Sequence, residues 1–202
     1  MPRIIAGRLR GLQLASLDGD LTRPTGDRVK EGLFSALAFR LPGSRCLDLF
    51  AGSGQIGLEA LSRGARQVVF VESARAAQKV ILKNLSKAKI EPRLALPSQE
   101  AEAIVLNCDA ERALRRLAAE GQLFDFIYFD PPWAALPELW RQLAQSLAEI
   151  LAPSGLLVME TEQSPEPIAP WRCVKTRRYG RTQLHFWQKE EIIDEDHLSG
   201  EF

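Results

Sequence analysis

Phe126-Ile127-Tyr128-Phe129-Asp130-Pro131-Pro132-Trp133 joins a four-residue apolar run to a carboxylate, two prolines and an indole. The run reads as a buried strand of a parallel sheet. Pro131 and Pro132 cannot extend a hydrogen-bonded ladder, so the strand stops there. Asp130 is thereby placed at a strand's carboxyl end, where open α/β sheets hold their ligands. The prolines stiffen the backbone and leave their carbonyls as acceptors. A carboxylate, a neighbouring carbonyl and a flat ring suit a planar base that carries an amino group. The ring stacks on the base while the two oxygens accept from the amine.

The stretch belongs to a series of five strands alternating with four helices. The predicted strands are Cys46–Phe50, Val68–Val71, Ala103–Leu106, Phe124–Phe129 and Leu156–Met159. Helices are predicted at Ile56–Ser62, Ala74–Ala88, Ala110–Ala119 and Leu136–Leu151, the last closed by Pro153-Ser154-Gly155. In the second of these, Val80, Ile81, Leu82 and Leu85 face inward. The proline-rich Ser164–Pro170 reads as a crossover loop, and Glu91–Glu102, with Pro92 and Pro97, as a loose insertion. Val174–Tyr179 and Gln183–Gln188 alternate around Gly180, which predicts a closing hairpin. This order implies a doubly wound, mostly parallel sheet with an antiparallel edge.

Ahead of it, Arg3–Leu14 alternates around Gly7 and Gly11, the pattern of a small hairpin bearing Arg3, Arg8 and Arg10. That hairpin, residues 1–19, is expected to serve as a nucleic-acid-contacting arm on the domain 20–189; a hairpin that only covers a sheet edge is the alternative. Pro24 disfavours helix at Arg23, and Thr25 or Asp27 can cap the helix that follows. Val29, Leu33, Ala36 and Leu37 form its apolar stripe.

The 202 residues suit one domain with a small appendage, and 46% hydrophobic residues can fill its core. Net charge is zero but unevenly spread. Residues 1–45 hold eight Lys/Arg against four Asp/Glu, and residues 172–189 hold six Lys/Arg and no acid. The tail from Glu190 holds six acids and no Lys/Arg, and is expected to be mobile. Basic patches in a neutral chain point to a polyanion met on one face; solvated surface charge is the plainer alternative. Cys46, Cys108 and Cys173 are odd in number and widely spaced, hence read as reduced, mostly buried and cytoplasmic. No apolar run approaches the roughly 18 residues of a membrane span.

Asp48-Leu49-Phe50-Ala51-Gly52-Ser53-Gly54-Gln55-Ile56-Gly57 is a strand end, a glycine turn and a helix start. Gly52, Gly54 and Gly57 match the dinucleotide fingerprint, which alone is weak. Asp48 argues against pyrophosphate at the helix start, because it adds negative charge there. It better suits a ligand with an ammonium group, such as S-adenosylmethionine (SAM). Glu72, at the second strand's end with Ser73 beside it, can take two ribose hydroxyls in either a NAD or a SAM site. Asp109, after Cys108 at the third strand's end, is placed to accept from an adenine amine. Each acid alone is more often a surface or capping residue. Three at successive strand ends beside a glycine turn make a cofactor site.

The chain resembles the RsmD-type family of bacterial small-subunit ribosomal RNA guanine-N2 methyltransferases over residues 3–189. The likeness is carried by Arg3-Ile4-Ile5-Ala6-Gly7, by Thr22-Arg23-Pro24-Thr25-Gly26-Asp27-Arg28-Val29-Lys30-Glu31, by Leu47–Gly54 with Gly57–Gly64, and by Asp130-Pro131-Pro132. Trp133 departs from the family's usual Phe or Tyr, and Glu91–Glu102 is longer than its counterpart. The resemblance implies a seven-stranded, Rossmann-like fold and transfer of a methyl from SAM to a guanine amine of 16S rRNA, naked or in an assembling subunit, by a monomer without a metal. Asp130, Pro131, Pro132 and Trp133 would form the catalytic site. Asp48, Phe50, Ala51, Gly52, Ser53, Gly54, Glu72, Ser73, Cys108 and Asp109 would hold the cofactor. Arg3, Arg8, Arg10, Arg23, Thr25, Arg28, Arg178 and Arg181 would meet RNA. At its ordinary pKa, Asp130 would be a weak base. The competing readings are an adenine-N6 DNA methyltransferase, which needs the same pocket, a glutamine methyltransferase, an NAD-dependent oxidoreductase and a non-catalytic RNA-binding module.

Overall fold

The computed structural model describes residues 2–17, 26–96 and 101–190. Arg23, Thr25 and the tail beyond Glu190 lie outside the described residues.

The order is α1 (Asp27–Ala36), β1 (Arg45–Asp48), α2 (Gln55–Ser62), β2 (Gln67–Glu72), α3 (Arg75–Lys87), β3 (Pro92–Arg93) and β4 (Ala103–Asn107). It continues with α4 (Ala110–Ala119), β5 (Phe124–Phe129), α5 (Leu136–Ile150), β6 (Leu151–Thr161), β7 (Trp171–Tyr179) and β8 (Thr182–Lys189). One eight-stranded sheet has the order β3-β4-β2-β1-β5-β6-β8-β7. The eighth strand, beyond the seven expected, is β3, two residues of the stretch read as loose insertion. They pair in parallel with Ala103 and Ile104, extending the edge despite Pro92. An edge strand tolerates a proline because one side of its ladder is open.

β6 starts five residues earlier than expected. Pro153 and Gly155 lie within it, and a register shift opposite Phe124–Phe126 absorbs the irregularity. β6 and β8 pair antiparallel, as do β7 and β8, so the closing hairpin forms as read.

The sheet separates two apolar layers. α1, α2 and α3 pack on one face with Leu33, Leu58, Ile81 and Tyr128, and α4 and α5 cover the other with Leu114, Trp140, Leu147 and Ile127. Strands buried on both faces read as continuous apolar runs, which is why the central ones were legible. Gly57 brings α2 against the sheet: a Cβ there would meet the Phe70 ring at 2.2 Å.

The N-terminal segment folds back on itself as expected: the Ile4 amide donates to the Leu12 carbonyl at 3.0 Å and the Leu14 amide to the Pro2 carbonyl at 2.9 Å. Arg3 and Gln13 form an antiparallel bridge between these bonds, and the Gly11 amide donates to the Ile4 carbonyl at 2.9 Å. Ile4 and Leu14 are each 1% exposed in the α1–α3 layer. Buried Glu59 on α2 accepts from the Ile5 and Ala6 amides at 2.7 and 3.0 Å, and buried Lys30 donates to the Arg3 carbonyl at 2.6 Å. The hairpin is therefore packed into the core, a placement that alternation alone does not give. Deleting residues 2–14 is expected to abolish cooperative thermal unfolding, since it strips the covering from two buried charged groups. A truncated chain that melts cooperatively near the parent temperature contradicts this.

At α1, Gly26 is the N-cap and makes no side-chain cap bond; Asp27 sits in the first turn instead of capping. Cys46 is buried and Cys108 half-buried, but Cys173 is exposed on the edge strand β7. No described helix is long and apolar enough to cross a membrane.

Candidate active site

The chain leaves β1 for β2 and β4 on one side and returns to β5 on the other, so the sheet's switch point lies between β1 and β5. Ligands bind at such a point, beyond the carboxyl ends. Asp48, Glu72, Asp109, Asp130 and Glu160 all fall at or just after those ends.

Gly52 and Gly54 have φ of 54° and 75°, which lets the chain reverse tightly after β1. The Gly54 amide donates to the Ala51 carbonyl at 2.6 Å. The Gly52 amide donates to Glu72 Oε2 at 2.9 Å, and the Ala74 amide to Glu72 Oε1 at 2.8 Å. Glu72 thus shapes the turn as well as facing the cleft. Asp48 is 3% exposed and accepts from the Gly57 amide at 3.0 Å. Its carboxyl is pushed up to about 7, first by burial and then by the charge of Glu72, against the Gly57 bond.

A cleft spans the ends of β1, β2 and β4. It is lined by Leu49, Phe50, Val71, Glu72, Ser73, Cys108 and Asp109, closed by Leu139, Gln142 and Leu143 of α5. Asp109 caps α4, accepting from the Arg112 amide at 2.8 Å, a bond expected of an acid before a helix and compatible with its place in the wall. The α5 side chains escape sequence reasoning because their helical spacing reads simply as core. The lining fits a nucleoside, with an apolar slot for a planar base and Glu72 for hydroxyls, whereas Asp48, expected at an ammonium, is buried and is not among the lining residues.

Asp130 follows β5 beside this cleft and is half-buried. The Pro131 carbonyl accepts no bond from the described backbone. The Pro132 carbonyl accepts from the Ala135 and Leu136 amides at 2.8 and 3.1 Å, so one of the two expected acceptors is used to start α5. Trp133 is half-exposed, and Phe129 packs edge-to-face on Phe50 with centroids 5.5 Å apart.

Sequence reasoning missed Glu160. It is 7% exposed at the end of β6 and accepts from the Tyr128 hydroxyl. Burial, then Glu160, then Asp48 hold the Asp130 carboxyl well above the usual carboxylate range. That corrects the expectation of a weak base at its ordinary pKa. The missing signal was pairing: β6 beside β5 sets Glu160 next to Asp130, which no local motif states. If Asp130 must be ionised to accept a proton, activity rises with pH through its raised pKa. Glu160→Gln removes a like charge, lowers that pKa and shifts the acidic limb of the single-turnover profile to lower pH. An unmoved limb counts against Asp130 as the titrating group.

Of the arginines expected at RNA, Arg3 pairs with Asp27 at 3.0 Å and Arg8 with Glu102. Arg10, Arg28 and Arg178 are exposed, and Arg181 is 3.9 Å from Glu162. Arg177 turns inward to the Gly32 carbonyl at 3.0 Å, clamping β7 to α1.

A family described as Conserved hypothetical protein 95 matches residues 2–188. The chain is 37% identical over 190 residues to ribosomal RNA small subunit methyltransferase D of Haemophilus influenzae, covering 92% of this chain and 93% of that one. It is 33% identical over 203 residues to the Escherichia coli protein of the same name, covering 96% and 93%. Among solved structures, a hypothetical protein of Thermus thermophilus superposes with a TM-score of 0.77 at 28% identity, over 93% of this chain and 99% of that one.

Proposed function

The chain belongs to the family described as Conserved hypothetical protein 95, whose curated relatives are named as ribosomal RNA small subunit methyltransferases, and on that premise we propose that it transfers a methyl group from SAM to the exocyclic N2 of a guanine in 16S rRNA. The observation that carries this reading is Asp130 with the Pro131 carbonyl, at the end of β5 beside a cleft that fits a nucleoside.

SAM supplies an electrophilic methyl group on a sulfonium. The rest falls to the chain's own residues. A guanine amine is a poor nucleophile because its lone pair is delocalised into the ring. Asp130 and the Pro131 carbonyl accept its two hydrogens, favouring the pyramidal amine and aiming its lone pair. Holding the amine in line with the methyl–sulfur axis supplies much of the rate. Asp130 then takes the proton the amine loses, a role its raised proton affinity suits. Trp133 stacks on the extruded base. Arg10, Arg28, Arg178 and Arg181 hold phosphates.

Radiolabelled SAM offered to small-subunit rRNA, duplex DNA and protein separates the substrate classes. The proposal expects label in the rRNA alone. Label in DNA favours the adenine-N6 reading, and label in protein the glutamine one.

A further inference from the structure

α3 buries two polar side chains. Gln78 donates to the Glu72 carbonyl at 2.6 Å and to Asn107 Oδ1 at 2.5 Å, joining the ends of β2 and β4. Asn84, 0% exposed, lies further along the helix. Its Nδ2 donates to the Ser53 carbonyl at 2.9 Å and to the Ala15 carbonyl at 3.0 Å, and its Oδ1 accepts from the Ala15 amide at 2.7 Å. The orientation is unambiguous, because flipping the amide would set Oδ1 against two carbonyls and Nδ2 against an N–H.

We propose that Asn84 is a positioning residue that latches the N-terminal segment to the Gly52–Gly54 turn, so that residues 2–17 support cofactor binding without touching the cofactor. The inference rests on the reading that SAM binds at that turn. Two glycines at positive φ leave the turn little steric preference of its own. Bonds from outside must therefore hold it. Glu72 fixes the Gly52 amide, and Asn84 fixes the carbonyl of the Ser53–Gly54 peptide. With Asn84 gone, that part-buried carbonyl loses this donor, and the turn must be ordered at the expense of binding. The same amide closes both backbone groups of Ala15. The segment is independently anchored by the Leu9 amide on Ser62 Oγ at 2.9 Å and by Lys87 Nζ on the Gln13 carbonyl at 3.2 Å.

Calorimetry of SAM binding to the full chain tests the latch. Asn84→Ala is expected to raise Kd about tenfold, and to raise KM for SAM with kcat at saturating SAM and KM for RNA near parent values. Ala15→Pro removes one donor to Asn84 Oδ1 and should raise Kd by a smaller factor. Lys87→Ala frees the same segment at Gln13, with no bond to the turn, and should leave Kd unchanged. Parent-like Kd in folded Asn84→Ala and Ala15→Pro overturns the proposal, as does equal weakening by Lys87→Ala. Should Asn84→Ala fail to fold, Ala15→Pro decides alone. Glu72→Ala separates the two levels: if it too binds SAM like the parent, the cofactor's placement fails; if it weakens binding while Asn84→Ala does not, only the latch fails.

Discussion

Asp130→Ala is expected to slow methyl transfer by about 10²- to 10⁴-fold under single-turnover conditions, the range supplied by a positioned proton acceptor, with SAM affinity near the parent value. The asymmetry follows from where Asp130 stands. It comes after β5, outside the cleft walls contributed by β1, β2 and β4, so the cofactor loses no contact. The amine, by contrast, loses an acceptor used only as the bond forms, which lowers kcat more than it raises KM. Removing the carboxylate also relieves its repulsion with Glu160 and Asp48, so the fold is not expected to suffer. Trp133→Phe should retain much of the activity, because stacking needs a ring more than an indole. Rapid-quench measurement of product against time distinguishes these outcomes.

Glu72→Ala is expected to weaken SAM binding by roughly 100-fold, more than loss of a ribose contact alone would give. Its carboxylate accepts from the Gly52 and Ala74 amides, and each bond to a charged group contributes on the order of 1.5–3 kcal/mol. Alanine leaves both amides without these bonds and releases the turn at one side. Glu72→Gln keeps an acceptor oxygen for only one amide and should fall between the two. Titration calorimetry reads the difference, and parent-like affinity in Glu72→Ala would place the cofactor elsewhere.

How much of this was legible depended on whether the determining forces were local. The parallel core was readable because strands buried on both faces must be apolar throughout, as in Val68–Val71 and Phe126–Phe129. Asp48, Glu72 and Asp130 were readable because a carboxylate that ends such a run has few other reasons to be there. What failed was pairing between distant segments. The alternation of Arg3–Leu14 tells that the segment folds on itself but not where it packs; the Glu59 and Asn84 bonds decide that, and these lie 53 to 69 residues away in sequence. β3 is two residues long and includes a proline, too short for any periodicity. Glu160 carries no motif and matters only because β6 lies beside β5.

The central claim is that the pocket at Asp130 methylates the guanine N2 amine. It is tested most directly by supplying methyl-deuterated SAM with small-subunit rRNA, then digesting the RNA to nucleosides and identifying the labelled one by mass spectrometry against synthetic standards. The account predicts deuterated N2-methylguanosine, lost in Asp130→Ala. Deuterated N6-methyladenosine, or a label that persists undiminished in Asp130→Ala, would contradict it.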